Sequence, residues 1–267
     1  MLRPRIIPCL LIQNGGVVKT INFKNPKYIG DPINAVRIFN EKESDELMVL
    51  DIDASAQNRE PNFSLISKLA AECQMPLSYG GGVSNVDHAI RLVDMGVEKV
   101  CTSSSSIQNP SLVSDMAAAV GQQSVVVVMD VRKKSGFFSK GYELRTINNT
   151  ISHDDDPILI AKKFENEGAG EIVINSIDND GMMNGYDMLL AQKFLENSNI
   201  PITILGGAGN LDHLENLMSK FGVVGAAAGS LFVFKGKYRA VLINYPSLND
   251  KLELCSRARS NFIQRGL

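Results

Sequence analysis

Residues 76–88, PLSYGGGVSNVDH, and residues 201–213, PITILGGAGNLDH, are two copies of one pattern that align without a gap. The offset between them is 125 residues, and the same offset places Glu46 on Glu171 and Ser105 on Ser230. The alternative is that glycine and aspartate are simply frequent in loops between strands and helices. That would explain single matches but not a common register. The common register therefore favours an internal duplication of one structural unit.

Eight short apolar runs follow one another along the chain, separated by helix-like segments such as 85–96, 109–121 and 156–168. Several runs are apolar throughout, as is typical of parallel strands covered by helices. Eight strand–helix units predict an α/β fold, a (β/α)8 TIM barrel. We expect one domain over residues 1–267, with half-barrels of about 1–122 and 123–250. The predicted strands are 5–12, 46–53, 75–82, 99–105, 124–131, 171–178, 201–207 and 223–230.

Composition argues against several functional classes. The formal net charge of −2 argues against a sequence-independent nucleic-acid binder. No apolar run approaches the roughly 20 residues that span a bilayer, and the N-terminus does not read as a signal peptide. The four cysteines form no CxxC pair and the three histidines lack ligand spacing. We therefore expect a cytoplasmic protein with buried thiols, no metal, no cofactor, and neither membrane nor nucleic acid as a partner.

Glycine-rich turns follow the strand in each copy of the repeat and precede a helix. Such turns let backbone N–H groups approach an anion, and a helix N-terminus adds positive potential. The next strand of each half ends in serine or glycine-serine, where barrels often bind phosphate. Two symmetric copies favour two phosphate sites at opposite sides of the barrel mouth over simple tight turning. The phosphate-binding candidates are Gly81, Gly82, Ser103, Ser104, Gly181, Gly206, Gly207, Gly229 and Ser230.

Carboxylates also stand at predicted strand ends. Asp130 ends the very apolar run VVVVMD, a costly place for a charge unless it faces the mouth and is hydrogen-bonded. In a partly dry pocket its pKa rises towards that of a general acid or base, although a loop-capping role is the alternative. Asp51 is a further mouth carboxylate, and Asp180 is either one more or a turn residue. His88 and His213 read as structural residues in first helical turns.

The opposite end of the predicted barrel carries charge as well. Arg5, Glu46, Lys99 and Glu171 each begin a predicted strand. The starts of parallel strands meet at the N-terminal face of a barrel, so two acids and two bases would form a ring there. Such a ring is either a salt-bridged plug or a solvated closure of the barrel.

Between residues 3 and 235 the chain resembles the cyclase subunit of imidazole glycerol phosphate synthase. The motifs that carry the resemblance, in this order, are RIIPCL, VVK, GDP, DEL, LDI, GGG, NPSL, GAGEI, SIDxDG, GYD and GGAG. The resemblance implies a (β/α)8 barrel that receives ammonia from a class I glutaminase partner at its N-terminal face. The ammonia would cross the barrel and react with a phosphorylated ribotide at the C-terminal face, a step of histidine biosynthesis.

The resemblance assigns roles to several positions. Arg5, Glu46, Lys99 and Glu171 match a charged ammonia gate, and Gly81, Gly82, Ser104, Gly207 and Ser230 match phosphate cradles. Lys19 matches a lysine of a flexible first loop. Asp130 matches one of two catalytic aspartates, and Asp51 and Asp180 are further catalytic candidates.

The second catalytic aspartate belongs at position 11, where this chain has Leu11. Leucine cannot transfer protons, and loss of one acid or base group typically costs about 10²–10⁴-fold in rate. The resemblance also implies other residues at five positions of the active end: Gly16, Ser103, Asn175, Met182 and Leu205. The gate positions are unchanged.

Three functions remain open from these departures. The first is a cyclase subunit of the synthase in histidine biosynthesis, forming a heterodimer with its glutaminase. The second is a paralogue that delivers ammonia for amidation of a sugar in surface-polysaccharide biosynthesis. The third is a catalytically silent scaffold subunit, which would have no need of a charged gate.

Overall fold

The computed structural model describes residues 3–135 and 141–264. Over these residues the strands are β1 (Arg5–Gln13), β2 (Gly16–Ile21), β3 (Lys24–Gly30), β4 (Leu47–Asp51), β5 (Leu77–Gly80), β6 (Lys99–Thr102), β7 (Val125–Lys133), β8 (Tyr142–Thr146), β9 (Ile151–His153), β10 (Glu171–Ser176), β11 (Ile202–Leu205), β12 (Gly225–Ala228), β13 (Phe234–Lys235) and β14 (Ala240–Val241). The helices are α1 (Pro32–Glu41), α2 (Phe63–Glu72), α3 (Val86–Asp94), α4 (Ser104–Gln108), α5 (Ser111–Val120), α6 (Pro157–Asn166), α7 (Met188–Leu195), α8 (Leu211–Phe221), α9 (Ser230–Val233) and α10 (Leu248–Gln264).

Eight of these strands close into a parallel ring, and each of them coincides with one of the eight predicted runs, except that β1 and β7 extend one and two residues further. The order around the ring is β1, β4, β5, β6, β7, β10, β11, β12 and back to β1. At least one helix follows every ring strand along the chain. The fold is therefore the (β/α)8 TIM barrel that the sequence predicts.

The helices of this barrel begin and end at residues suited to those places. Asp156 caps the start of α6 by accepting from the backbone N–H of Ile158, and Pro157 occupies the first turn. Gly121 ends α5 with a φ of +88°, a conformation that glycine adopts without strain. These two helices and α3 correspond to the three helix-like segments expected from the sequence.

The two copies of the repeat adopt nearly the same backbone. Asn85 caps α3 and Asn210 caps α8, each with a φ of −153° and each accepting from the N–H of the histidine three residues on. Those histidines, His88 and His213, in turn accept from the backbone N–H four residues before them. The two copies of the repeat thus fold alike at these helix starts, and both histidines belong to the helix-capping hydrogen bonds.

The barrel interior is a second, smaller core inside the strand ring. Side chains alternate along each strand, so every second residue points inward. These inward residues form an apolar column, which runs from the N-terminal to the C-terminal end of the strands. Val18 of β2 packs against this column. The buried members on the ring strands are Ile7, Cys9, Leu11, Met48, Cys101, Val126, Val128, Val173, Leu205 and Ala227.

Two antiparallel hairpins, absent from the sequence prediction, fold over the C-terminal end of the barrel. The first consists of β2 and β3 beside β1, and the second of β8 and β9 beside β7. Asn22 of the first donates to the carbonyl oxygens of Ile177 (3.1 Å) and Asp178, while Asn148 of the second donates to that of Ile52 (2.8 Å). Ile52 and Ile177 are related by the repeat offset, so the two hairpins are fastened in equivalent ways.

Candidate functional site

A cavity of about 180 Å³ opens at the carboxyl ends of the barrel strands. This mouth pocket brings together residues from β1, β4, β5, β6, β7 and β10 under the two hairpins. It gathers many of the predicted site residues, namely Leu11, Lys19, Asp51, Gly81, Gly82, Ser103, Ser104, Asp130 and Asp180. Gly181, Gly206, Gly207, Gly229 and Ser230 do not line it.

Asp130 lines the mouth pocket from β7. Its Oδ1 accepts a hydrogen bond from Nδ2 of Asn175 at 2.9 Å. Burial raises the pKa of the Asp130 carboxyl to about 7; the Asn175 bond lowers it and the charge of Asp180 raises it. A carboxyl that titrates near neutral pH can exchange protons with a bound substrate.

The titration of Asp130 makes stability depend on pH. Its pKa in the folded protein lies above the ordinary 3.8, so its contribution is full below pH 4 and is lost as the pH rises through 7. We expect Asp130→Asn to be more stable than the unchanged protein at pH 8, by about 4 kcal/mol for a shift of this size, and nearly equal at pH 4. Chemical denaturation at both pH values measures this, with exposed Asp94→Asn as control. Equal differences at the two pH values would contradict the assignment.

Lys19 and Asp180 form a buried ion pair at the edge of the mouth pocket. Lys19 Nζ lies 3.3 Å from Asp180 Oδ1, and Thr20 Oγ1 donates to Asp180 Oδ2 at 2.6 Å. Asp180 also accepts from the backbone N–H of Phe23. Asp180 therefore fastens the first hairpin to the loop after β10, and Lys19 is held over the mouth.

The hydrogen bonds of Asp51 mainly stabilise the loop that follows β4. Its Oδ1 accepts from the backbone N–H groups of Asp53 (3.0 Å) and Ala54 (3.1 Å), which is a loop-capping arrangement. Burial raises its pKa, against these two bonds and the charge of Arg59. A catalytic role for Asp51 stays a prediction.

The first phosphate candidate site lies where β5 turns into α3. Gly82 has a φ of +75°, and a Cβ there would lie 2.5 Å from the carbonyl oxygen of Arg59. Only glycine fits this turn, which places the amino end of α3 beside the mouth pocket. Ser103 makes no capping bond and Ser104 accepts from the N–H of Ile147 at 3.5 Å. Both serines line the same pocket.

The second candidate site lies across the barrel, after β11 and β12. Gly206 has a φ of +100°, and a side chain on Gly207 would collide with the carbonyl oxygen of Gly185. A Cβ on Gly229 would lie 2.8 Å from Lys19 Nζ, so the lysine ammonium covers this turn. Ser230 is 5% exposed, and its hydroxyl has no hydrogen-bond partner within the described residues. The ammonium group of Lys19 and the unpartnered hydroxyl of Ser230 thus both lie at the turn that contains Gly229.

Gly181 belongs to neither candidate site. A Cβ there would meet the carbonyl oxygen of Thr20 and the backbone of Ile21. Close packing against the first hairpin therefore accounts for this glycine. A phosphate-binding role for Gly181 stays a prediction.

At the N-terminal face, four side chains form a closed charged ring: Arg5, Glu46, Lys99 and Glu171. Arg5 lies 2.6 Å from Glu46 and 2.7 Å from Glu171, and Lys99 lies 2.8 Å and 2.9 Å from the same two carboxylates. Both glutamates are buried. The structure therefore shows a salt-bridged plug rather than a solvated ring, directly below the apolar column.

The opposite charges of the ring shift the pKa values of Arg5 and Glu171. Burial alone would raise the pKa of Glu171, but the hydrogen bond and charge of Arg5, the charge of Lys99 and the Thr203 bond outweigh it and lower the pKa. Burial opposes the charge of Arg5, whose pKa is nevertheless raised by Glu171 and Glu46. The shifts of Arg5 and Glu171 therefore both favour the charged form of the group.

The charged ring, the apolar column and the mouth pocket all belong to one barrel. Comparison with known proteins shows the family to which this barrel belongs. The family described as Histidine biosynthesis protein matches residues 5–239. The chain belongs to this histidine biosynthesis family.

Three relatives show which member of the histidine biosynthesis family this chain is similar to. A Leptospira borgpetersenii protein, provisionally named imidazole glycerol phosphate synthase subunit HisF, is 54% identical over 94% of this chain and 98% of its own length. A Vibrio vulnificus (strain YJ016) protein, provisionally named subunit hisF3, is 52% identical over 94% and 96%. The imidazole glycerol phosphate synthase subunit HisF of Streptococcus mutans is 37% identical over 87% and 91%. The chain is thus a HisF-like cyclase subunit.

The HisF-like barrel has an apolar floor where the resemblance implies an acid. Leu11 is 8% exposed and lies in the apolar column with Leu205, and Val18 packs against this column. Leu50 stands beside Leu11 in the strand register. The β1 side of the mouth pocket is therefore apolar where the resemblance implies an aspartate, while Asp130 lies on β7.

Other departures from the family pattern also have structural partners. Asn175 is the residue that binds Asp130. At Gly16, a Cβ would lie 2.7 Å from the ring of Tyr28, so the absence of a side chain makes room for that tyrosine. Nothing in the structure explains Met182.

Sequence reasoning missed two members of the ring's hydrogen-bond network. Ser78 Oγ donates to Glu46 at 2.8 Å, and Thr203 Oγ1 donates to Glu171. Ser78 and Thr203 are related by the same offset of 125 residues as the two glutamates. Applying the repeat to every polar position inside the strands would have found both.

The remaining site expectations concern metals and membranes. No group of three or more histidine, cysteine, aspartate or glutamate side chains could hold a metal ion within residues 3–135 and 141–264. The four cysteines, Cys9, Cys73, Cys101 and Cys255, are free thiols. Over the same described ranges, every helix is too short or too polar to cross a membrane.

Proposed function

We propose that this HisF-like subunit receives ammonia from a class I glutaminase at its N-terminal face and delivers it to a phosphorylated acceptor at the barrel mouth. The observation that carries the proposal is the alignment of three parts along one axis. The charged ring closes the N-terminal end, the apolar column fills the interior, and Asp130 stands at the far end. Neutral ammonia can pass apolar surroundings that strongly disfavour an ion.

The acceptor would be bound through its phosphates. Gly81, Gly82, Ser103 and Ser104 support one anion site, and Gly206, Gly207, Gly229 and Ser230 support another with Lys19 above it. An acceptor with two anionic ends would span the mouth over Asp130. Asp130 would then exchange the proton that addition of ammonia requires.

The apolar residues at the mouth disfavour the histidine-type cyclisation, because the acceptor would face Leu11 and Leu205 instead of an acid and a hydroxyl. This apolar floor favours a second candidate, delivery of ammonia to a different acceptor, such as a sugar amidated in surface-polysaccharide biosynthesis. A relative from Pseudomonas aeruginosa PAO1, 48% identical, carries the numbered provisional name hisF2. A catalytically silent scaffold is disfavoured by the intact charged ring. The free thiols support a reducing compartment, the cytoplasm.

The experiment that tests the proposal combines the purified chain with its cognate glutaminase and 15N-amide glutamine. We expect a heterodimer in which glutamine hydrolysis is faster than in the glutaminase alone. Glu46→Gln should leave the complex assembled but release more 15N-ammonia to bulk water. Failure of the two proteins to associate would overturn the proposed partner.

Phosphate binding gives a separate prediction at Ser230. Removing a buried hydroxyl that lacks a partner costs little, so Ser230→Ala should match the unchanged protein in stability without ligand. Inorganic phosphate should raise the melting temperature of the unchanged protein, because a ligand that binds only the folded state stabilises it. We expect Ser230→Ala to lose about half of that rise.

The matched control for this prediction is Ser219→Ala, which removes another buried hydroxyl far along α8. Its response to phosphate should equal that of the unchanged protein. An equal response of Ser230→Ala and Ser219→Ala would remove Ser230 from the site.

A further inference from the structure

The strands β1 and β4 are neighbours in the barrel, yet their ladder begins only at Cys9 and Met48. Closer to the N-terminal face, side chains bind the backbone of Ile6. Its N–H donates to Asp45 Oδ2 at 3.1 Å, and its carbonyl oxygen accepts from the hydroxyl of Tyr245 at 2.9 Å. Side-chain groups thus replace the strand ladder at the level of the charged ring.

The hydroxyl of Tyr245 joins the two strands. Besides donating to Ile6, it accepts from the backbone N–H of Asp45 at 3.2 Å. Tyr245 is 5% exposed, and its ring lies against those of Phe39 and Phe232, with centroids 6.4 Å and 5.3 Å away. Because aromatic neighbours hold the ring on two sides, the position of the hydroxyl between the strands is fixed.

A buried ion pair supports the same junction from α10. Lys251 is 7% exposed, and its Nζ lies 2.8 Å from Asp45 Oδ1 and 3.0 Å from the carbonyl oxygen of Glu43. A buried charge keeps its place only when it is paired and hydrogen-bonded. Lys251 therefore ties the first turns of α10 to the residues that lead into β4.

These three residues, Asp45, Tyr245 and Lys251, form what we name the C-terminal clamp. Its attachment points are next to the charged ring in the chain, because Ile6 follows Arg5 and Asp45 precedes Glu46. The Arg5–Glu46 distance of 2.6 Å depends on the separation of β1 and β4 at this level. Tyr245 and Lys251 lie beyond the residues that the family match covers.

We propose that the C-terminal clamp positions the charged ring, holding β1 and β4 at the separation at which Arg5 reaches both Glu46 and Glu171. The clamp residues are positioning residues, since they act on the ring through the backbone. The role of the ring as an ammonia gate rests on the proposed function, whereas the positioning itself does not. Opening the gate would then require the clamp to yield.

The test uses Tyr245→Phe, which removes the bridging hydroxyl and keeps the packed ring. Tyr186→Phe is the matched control, because Tyr186 is also buried and its hydroxyl donates to the carbonyl oxygen of Ala227 at 2.9 Å, away from the clamp. We expect amide hydrogen exchange at Ile6 and Asp45 to rise on the order of tenfold in Tyr245→Phe. We also expect the pKa of Glu171, followed by carboxyl 13C resonances, to rise towards its ordinary value. Tyr186→Phe should change neither.

A second variant and a second assay separate the possible failures. Lys251→Met should shift Glu171 in the same direction, provided that circular dichroism shows a folded barrel. An unchanged Glu171 titration in both folded variants would overturn the positioning proposal. If Glu171 shifts but leakage of glutamine-derived 15N-ammonia in the glutaminase complex does not change, the gate role fails and the positioning of the ring stands.

Discussion

Replacing Leu11 by aspartate and Leu205 by serine is expected to raise ammonium-dependent cyclisation of the ribotide by about 10²-fold or more. The unchanged chain should show little or no cyclisation, because the floor of its mouth offers no acid opposite Asp130. Leu11 and Leu205 lie together in the apolar column. A lone carboxylate among leucines is costly to bury, so the serine is included to hydrogen-bond it. Exogenous ammonium makes the assay independent of a glutaminase.

The control for this prediction is Leu11→Asn with the same serine at position 205. Asparagine has nearly the volume and polarity of aspartate but does not titrate, so it should leave the rate near that of the unchanged chain. An equal gain in the asparagine variant would show that shape rather than proton transfer limits the reaction. Near-normal turnover by the unchanged chain would refute the view that Leu11 disables it.

The second large effect is expected at the charged ring. Glu171→Gln leaves Arg5 and Lys99 with one carboxylate between them, in a site where both glutamates are buried. Removing one partner of a buried ion pair is strongly destabilising, by roughly 3 kcal/mol here because the two cations keep Glu46 and some solvent access. We expect this loss at pH 7 in chemical denaturation, together with a lowered melting temperature.

The pH dependence of that loss follows from the lowered pKa of Glu171. A carboxylate with a lowered pKa stabilises the fold fully above its ordinary value of 4.5, and the contribution is lost as the pH falls through the lowered value. The difference between Glu171→Gln and the unchanged protein should therefore shrink below pH 4. Glu215→Gln, which breaks a surface pair with Arg257, should have no resolvable effect at either pH. A constant difference across the pH range would contradict the account.

The barrel could be predicted because its signals are local and repeated. Apolar runs such as VVVVMD fix strands, and the register between Glu46 and Glu171 fixes the duplication. The charged ring followed from the same logic, since residues that begin parallel strands must meet at one face. These inferences need only strand direction and order, which the sequence pattern carries.

The parts that escaped prediction depend on contacts between distant segments. The strand β3 is mostly exposed and polar, so its sequence lacks the apolar alternation that marks a strand. The bond from Asn175 to Asp130 joins neighbouring strands, and nothing in either local sequence indicates it. Tyr245 is an ordinary loop residue until the fold places it between β1 and β4.

The two hairpins over the mouth are fastened crosswise. Asn22 belongs to the first half of the chain and holds the carbonyl oxygen of Ile177 in the second, while Asn148 belongs to the second half and holds that of Ile52 in the first. Each half of the chain therefore supplies the backbone carbonyl oxygen to which the hairpin of the other half is hydrogen-bonded. In a single half-barrel, the hairpin would lack the carbonyl oxygen that its asparagine binds. Hairpins that are held over the mouth of the barrel therefore require both halves.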